Sequence, residues 1–166
     1  MTKICVTADP KAREVLTGLG FTTDGVESLA REYIQRLRIP GTVTGISIKY
    51  FYDRDPDTGG CAWPGLETEI HFFINLMWGS DELRSVLMHE LAHLQRWVLD
   101  LAFERPPVVK EWSCADYYAN SRSELEALAW EVAVNRDRYS VLREAMELRL
   151  KGDNREHVNL EPNQAV

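Results

Sequence analysis

Cysteine is scarce and unpatterned in this chain. Its 166 residues include three, Cys5, Cys61 and Cys114, an odd count with no CxxC spacing. Neither a disulfide framework nor a cysteine-based zinc site is expected, and a reducing cytoplasm is the simplest home. Long hydrophobic runs are missing as well. No apolar stretch nears the roughly 18 residues that a membrane span needs, and the short, broken run within residues 1–10 does not read as a signal peptide. Positive charge is short: 19 Lys and Arg stand against 26 Asp and Glu, a net charge of −7. Nucleic acid is therefore not an expected partner, because phosphate neutralisation needs clustered Lys and Arg. No period of roughly 20–50 residues repeats, which excludes a solenoid. Histidine is also rare, with only His71, His89, His93 and His157.

What is present is 45% hydrophobic residues, enough for a core of useful size. We expect one domain over residues 1–150 and a polar, flexible tail over 151–166, after Gly152 breaks the last helix. The patterning predicts an α+β fold. A short helix follows Asp9-Pro10 and closes at Gly18 and Gly20. Asp24 is a candidate cap for a second helix to about Leu37, with Val26, Leu29, Tyr33 and Ile34 at helical spacing. The period then changes. Residues 43–52 read as a strand, residues 53–60 as a loop or hairpin connection, and residues 68–76 as a strand with Ile70, Phe72, Ile74 and Leu76 on one face. Ser80, followed by Asp81 and Glu82, reads as a helix start running to about Asp100. Pro106-Pro107 marks a linker over 102–111, and a long helix runs from Ser121 or Ser123 to about Leu150.

The helix from Ser80 carries His89-Glu90-Leu91-Ala92-His93, an HExxH pattern. Histidines four apart project from one helix face, one turn apart, so their ring nitrogens can converge on one zinc ion. Glu90 lies beside them as a candidate general base. Zinc lowers the pKa of its water to about 7, a carboxylate accepts the proton, and the hydroxide attacks a polarised carbonyl. The surrounding Leu83, Val86, Leu87, Leu91 and Leu94 make the helix largely apolar. Two histidines and a glutamate on a buried helix are costly unless something satisfies them. The bland reading is ordinary hydrogen bonding in the core.

A catalytic zinc needs a third protein ligand. In HExxHxxGxxH proteins a Gly and a third His supply it, but Arg96 and Leu99 stand at those positions here. His157 falls in the polar tail. Among glutamates of the last helix, Glu124 lies roughly 70° from the centre of the apolar face, Glu131 about 90° and Glu126 about 130°. Glu124 is the favoured ligand and Glu131 the second candidate. Ser121 and Ser123 can each begin a capping box. With Ser123 as the cap, Glu126 closes the box and leaves Glu124 free for metal.

HELAH followed by Ser-Glu124-Leu-Glu-Ala127 resembles the short gluzincin pattern, HExxH then ExxA on a following helix. The order of elements over roughly residues 24–135 is similar to the ImmA/IrrE-like metallopeptidase domain. That resemblance implies a zincin-like fold and a cytoplasmic zinc peptidase of bacterial or phage type acting on a protein or peptide substrate. It also implies that an edge strand, here residues 68–76, lines the cleft. Leu128 stands where that family often has Asn, and the interval from His93 to Glu124 is long.

Tyr117 and Tyr118 are candidate donors to the oxyanion that develops during peptide hydrolysis; the bland reading is half-buried aromatics. Trp97, Trp112 and Trp130 read as packing. His71 reads as exposed rather than as a ligand, and Asp53, Asp55 and Asp57 as a solvated turn, since Thr58 and Pro64 stand where a calcium loop needs Gly and Glu. The function expected is zinc-dependent peptide hydrolysis. The alternative is a zincin-type scaffold that binds a partner or serves a phage assembly without catalysis. Oligomeric state is not legible.

Overall fold

A computed structural model describes residues 1–101, 103–106, 109–152 and 159–161. Its elements are mixed α and β. Strand β1 (Lys3–Ala8) leads into helices α1 (Pro10–Gly18) and α2 (Thr23–Arg36). Strands β2 (Gly45–Tyr52), β3 (Gly60–Trp63) and β4 (Glu67–Ile74) follow, then helix α3 (Ser80–Val98). The remainder comprises β5 (Phe103–Arg105), α4 (Cys114–Ala119), α5 (Arg122–Val134), a 3₁₀ turn (Arg136–Arg138), α6 (Tyr139–Leu150) and β6 (Asn159–Glu161).

Four strands form a mixed sheet in the order β1-β2-β4-β3. β1 and β4 both run parallel to β2, whereas β3 is antiparallel to β4 with Cys61 opposite His71. The alternation expected in β4 is present: Thr68, Ile70, Phe72 and Ile74 are buried, and Glu69, His71 and Phe73 are half-buried on the other side. Leu76 lies beyond the strand and is 76% exposed, so it does not join that face. β4 is an inner strand, not the expected edge; the edge on that side is β3, whose residues after Gly60 carry no strand expectation from the sequence. Its four residues are too few to announce a period.

The core lies between the sheet and α1, α2 and α3, with Ile48, Ile70, Phe72, Leu83, Leu87 and Leu91 wholly buried. A smaller apolar cluster, Ala115, Ala119 and Ala145, joins α4 to α6.

Several expected boundaries move for local chemical reasons. Thr22, not Asp24, caps α2, its hydroxyl accepting the Gly25 N–H at 3.0 Å. Gly79 occupies the cap of α3 with no side-chain bond, and Ser80 is the first helical residue. The long final helix is two helices. Asn135 leaves helical geometry (φ −147, ψ 99) and its side chain accepts the Asp137 N–H. A side chain that satisfies the backbone locally competes with helix continuation, which is how Asn ends helices. The expected linker and tail also contain structure, because β5 and β6 pair antiparallel. Among the described residues no helix is long and apolar enough to cross a membrane.

Candidate metal centre

Helix α3 presents two different faces. Leu83, Leu87, Leu91 and Leu94 face the core at 0% exposure. His89 and His93 face α5, which packs alongside. Asp81 and Glu82 in the first turn and Arg96 in the last complement the helix dipole. Arg96 Nη1 meets Glu126 Oε2 at 2.7 Å, tying α3 to α5. Ser123 already lies inside α5, so the expected Ser123–Glu126 capping box does not form.

The cap of α5 is Ser121, whose hydroxyl accepts the Glu124 N–H at 3.2 Å. Ser123 Oγ lies buried at 3.1 Å from Ser121 Oγ. A capping glutamate at this third position usually returns its carboxylate to the cap backbone. Glu124 instead turns its carboxylate to the histidines, so the Ser121 cap and a free Glu124 side chain coexist.

Three donor groups converge there. His89 Nε2 and His93 Nε2 are 3.1 Å apart. Glu124 Oε2 is 2.9 Å from His89 Nε2, and Oε1 is 3.3 Å from His93 Nε2. A tetrahedral ion with bonds of about 2.0–2.1 Å holds its ligand atoms about 3.3–3.4 Å apart. The two ring nitrogens are separated by close to that edge length, each faces one oxygen of the same carboxylate, and two imidazoles with a carboxylate are a donor set that zinc accepts. Among the described residues, His89, His93 and Glu124 are the one group of three or more His, Cys, Asp or Glu able to hold a metal ion.

The surroundings are dry and strongly charged. Glu90, His93, Glu124 and Glu131 are all 7% exposed or less. Burial disfavours the carboxylate of Glu124, yet His93 and His89 outweigh it and hold its pKa far below the usual carboxylate range. Burial likewise opposes the charge on His89, but Glu124, Glu131 and Glu90 raise its pKa well above the usual value. Glu90 moves the other way: burial raises its pKa, only partly offset by the two histidines. Without metal, these carboxylates favour the protonated form of His89, and a cation bound at its ring nitrogen would have to displace that proton.

Sequence reasoning ranked Glu131 as a second candidate ligand. The fold places its Oε2 at 3.4 Å from His89 Nδ1, the ring nitrogen pointing away from the cluster. A carboxylate in that position fixes the histidine tautomer with Nδ1 protonated and Nε2 bearing the lone pair. Glu131 Oε1 is 3.8 Å from Arg138 Nε, and Arg138 Nη2 donates to the Tyr118 hydroxyl at 3.2 Å. Arg138 was not singled out from sequence; it arrives because Asn135 breaks the helix and swings the 3₁₀ turn inward. The run Asn135-Arg-Asp-Arg138, polar and interrupting an apolar period, was the available signal.

Glu90 is also bounded from the sheet. A Cβ built on Gly60 of β3 would stand 3.2 Å from Glu90 Oε1 and 2.9 Å from Phe72 Cδ1. Glycine is what lets the edge strand lie this close.

No family model, curated protein or solved structure matches this chain.

Tyr117 and Tyr118 lie on α4, just before α5, with rings 5.4 Å apart. The Tyr118 ring is 6.4 Å from that of His89, and burial raises its pKa, with Glu131 adding to the effect. Trp97 and Trp130 pack against the core. His71 is on the far side of the sheet. The Asp53–Asp57 stretch is a turn in which Asp53 accepts the Asp55 N–H. His157 lies outside the described residues.

Proposed function

We propose that the chain is a zinc-dependent peptidase of the zincin type, with His89, His93 and Glu124 as metal ligands and Glu90 as general base. The observation carrying this reading is the convergence of two Nε2 atoms and one carboxylate at 2.9–3.3 Å from one another on two packed helices. The likeness of HELAH and Ser-Glu124-Leu-Glu-Ala127 to the ImmA/IrrE-like pattern points the same way, and to a selected protein substrate in the cytoplasm. When bound, zinc supplies Lewis acidity, polarising a carbonyl oxygen and acidifying water.

The chain's own residues do the rest. Glu131 holds His89 in the tautomer that leaves Nε2 free for metal. Glu90, kept from solvent and raised in pKa, is a stronger proton acceptor than an exposed glutamate and can return the proton to the leaving amine. β3 offers an edge beside Glu90 along which an extended peptide adds as a further strand, main chain to main chain. Tyr118, its hydroxyl oxygen held by Arg138, keeps its own proton for donation in the cleft.

Elemental mass spectrometry of the wild type, Glu124→Ala and Glu90→Gln tests the reading, beside a peptide-library cleavage assay. Expected are about one zinc per chain in wild type and Glu90→Gln, loss in Glu124→Ala, and cleavage by wild type alone. A wild type that takes no metal when zinc is supplied overturns it. Zinc held at full stoichiometry by a wild type that cleaves no library favours the non-catalytic scaffold.

A further inference from the structure

The sheet has a second face, chemically distinct from the one that meets the metal centre. Strand alternation sends Ile48, Ile70 and Phe72 into the core beneath the helices and leaves their neighbours outside. On that outer face Cys61 of β3 stands directly opposite His71 of β4. Directly opposed residues share a face, with Cβ atoms about 4.5–5.5 Å apart, which puts a thiol beside an imidazole. His71 Nε2 meets Glu69 Oε1 at 2.5 Å, and Lys49 Nζ donates to the same oxygen at 2.9 Å. Those two hydrogen bonds, Lys49's the larger effect, hold Glu69 below the usual carboxylate range. Trp63 and Phe51 flank His71 edge-on, with ring centroids at 4.7 and 5.1 Å. Nucleophile, base and base-orienting carboxylate thus lie in sequence across two strands, between aromatic walls that stay 49% and 36% exposed.

We propose that Cys61, His71 and Glu69 form a nucleophilic thiol site that takes soft carbon electrophiles carried on an apolar or aromatic body. A free thiol with a pKa of about 8.5 is mostly protonated at neutral pH, and a neighbouring imidazole increases its thiolate fraction. Glu69 positions the His71 ring and stabilises the imidazolium that forms. Trp63 and Phe51 supply apolar surface for the body of the electrophile. The step balances without a further reactant. The Cys61 S–H proton passes to His71, the sulfur pair forms an S–C bond, and the carbon's leaving group departs with the pair of the bond it breaks. The imidazolium then returns its proton to water. The site is independent of the metal reading, since it shares no residue with it.

The chain carries its own references. Cys5 lies exposed on β1, opposite Ser47, and Cys114 lies exposed at the start of α4. Iodoacetamide labelling of the full chain, followed at each cysteine by peptide mass spectrometry between pH 5.5 and 9, makes the test. At pH 7 Cys61 should label at least about fivefold faster than Cys5 and Cys114, although both are more exposed. His71→Gln should slow Cys61 about fivefold or more and move its profile to higher pH, leaving the other two unchanged. Glu69→Gln, at a half-buried side chain on the outer face, outside the core, should slow Cys61 about twofold or more and guards against misfolding in the first variant. A Cys61 no faster than its two references, or unmoved by Glu69→Gln, overturns the proposal.

Discussion

Helix α3 separates two interiors of opposite character. On one side Leu83, Leu87 and Leu91 meet the sheet in a core of mostly aliphatic and aromatic side chains, the buried Tyr50 hydroxyl being a polar exception. On the other, His89, Glu90 and His93 meet Glu124 and Glu131 of α5, where five ionisable groups share a space nearly as dry. The apolar side is stable by burial alone, at about 25 cal/mol per Å² removed from water. The polar side depends on protons or a cation to settle its charges, since each buried carboxylate left unpaired is costly. On the proposed reading one side serves folding and the other metal binding, and changes to each should separate cleanly.

The largest effect is expected on the apolar side. Leu87→Ala should lower stability by about 2–5 kcal/mol in urea denaturation, through lost transfer energy and a residual cavity. Zinc stoichiometry should stay at the wild-type value while the protein is folded. A variant that loses zinc in proportion to stability would show that the two interiors are coupled.

Next comes the orienting carboxylate. Glu131→Ala should weaken zinc affinity by about 10–100-fold in chelator competition. Glu131→Gln, which keeps an acceptor oxygen for the His89 Nδ1 proton, should weaken it less. Equal loss in the two would mean that negative charge, rather than tautomer control, is what Glu131 contributes.

The smallest effect per step concerns pH, and metal-free and zinc-loaded protein should respond in opposite directions. Metal-free, His89 has a raised pKa, so its contribution is full below its unfolded value of about 6.5 and fades as pH rises through the folded value. Glu124 has a lowered pKa, so its contribution is full above about 4.5 and fades as pH falls through the folded value. The metal-free pair is therefore strongest between about pH 4.5 and 6.5. Zinc must displace the His89 proton, so its affinity should fall as pH drops from 8 to 6, about tenfold per pH unit for one proton displaced. Thermal melts with and without zinc across that range check both signs; a zinc-induced shift that grows as pH falls would refute the displaced proton.

Much of this contrast is readable in the chain. HExxH places two histidines and a glutamate on one helix by spacing alone, and the apolar period of α3 and the alternation of β4 are both strong. Glu124 follows from its angle at the edge of an apolar face, even though the cap that frees it is Ser121 and not Ser123. What spacing does not reveal is tertiary. β1 is legible in hindsight, as Ile4, Val6 and Ala8 alternate with Cys5 and Thr7, but six residues of such a pattern are faint. The polar run at Asn135–Arg138 breaks the apolar period, but apolar residues resume at Tyr139 and Met146 and mask the break; those two end up 57% and 47% exposed instead of joining the buried face. The role of Glu131 depends on which nitrogen of His89 it reaches, a matter of side-chain direction that no one-dimensional pattern contains.

The strand order β1-β2-β4-β3 has a consequence in time. Only β3 and β4, among neighbours in this sheet, follow one another with no element between; two helices separate β1 from β2, and β2 pairs with β4 across the intervening β3. Folds dominated by such non-local pairing close large loops before contacts reward them, and so assemble slowly. During synthesis both histidines are made ahead of Glu124. The chain thus passes through an interval in which the histidine half of the centre is made and its closing carboxylate is not. Docking of α5 is the event that turns a helix with two histidines into an enclosed three-donor centre.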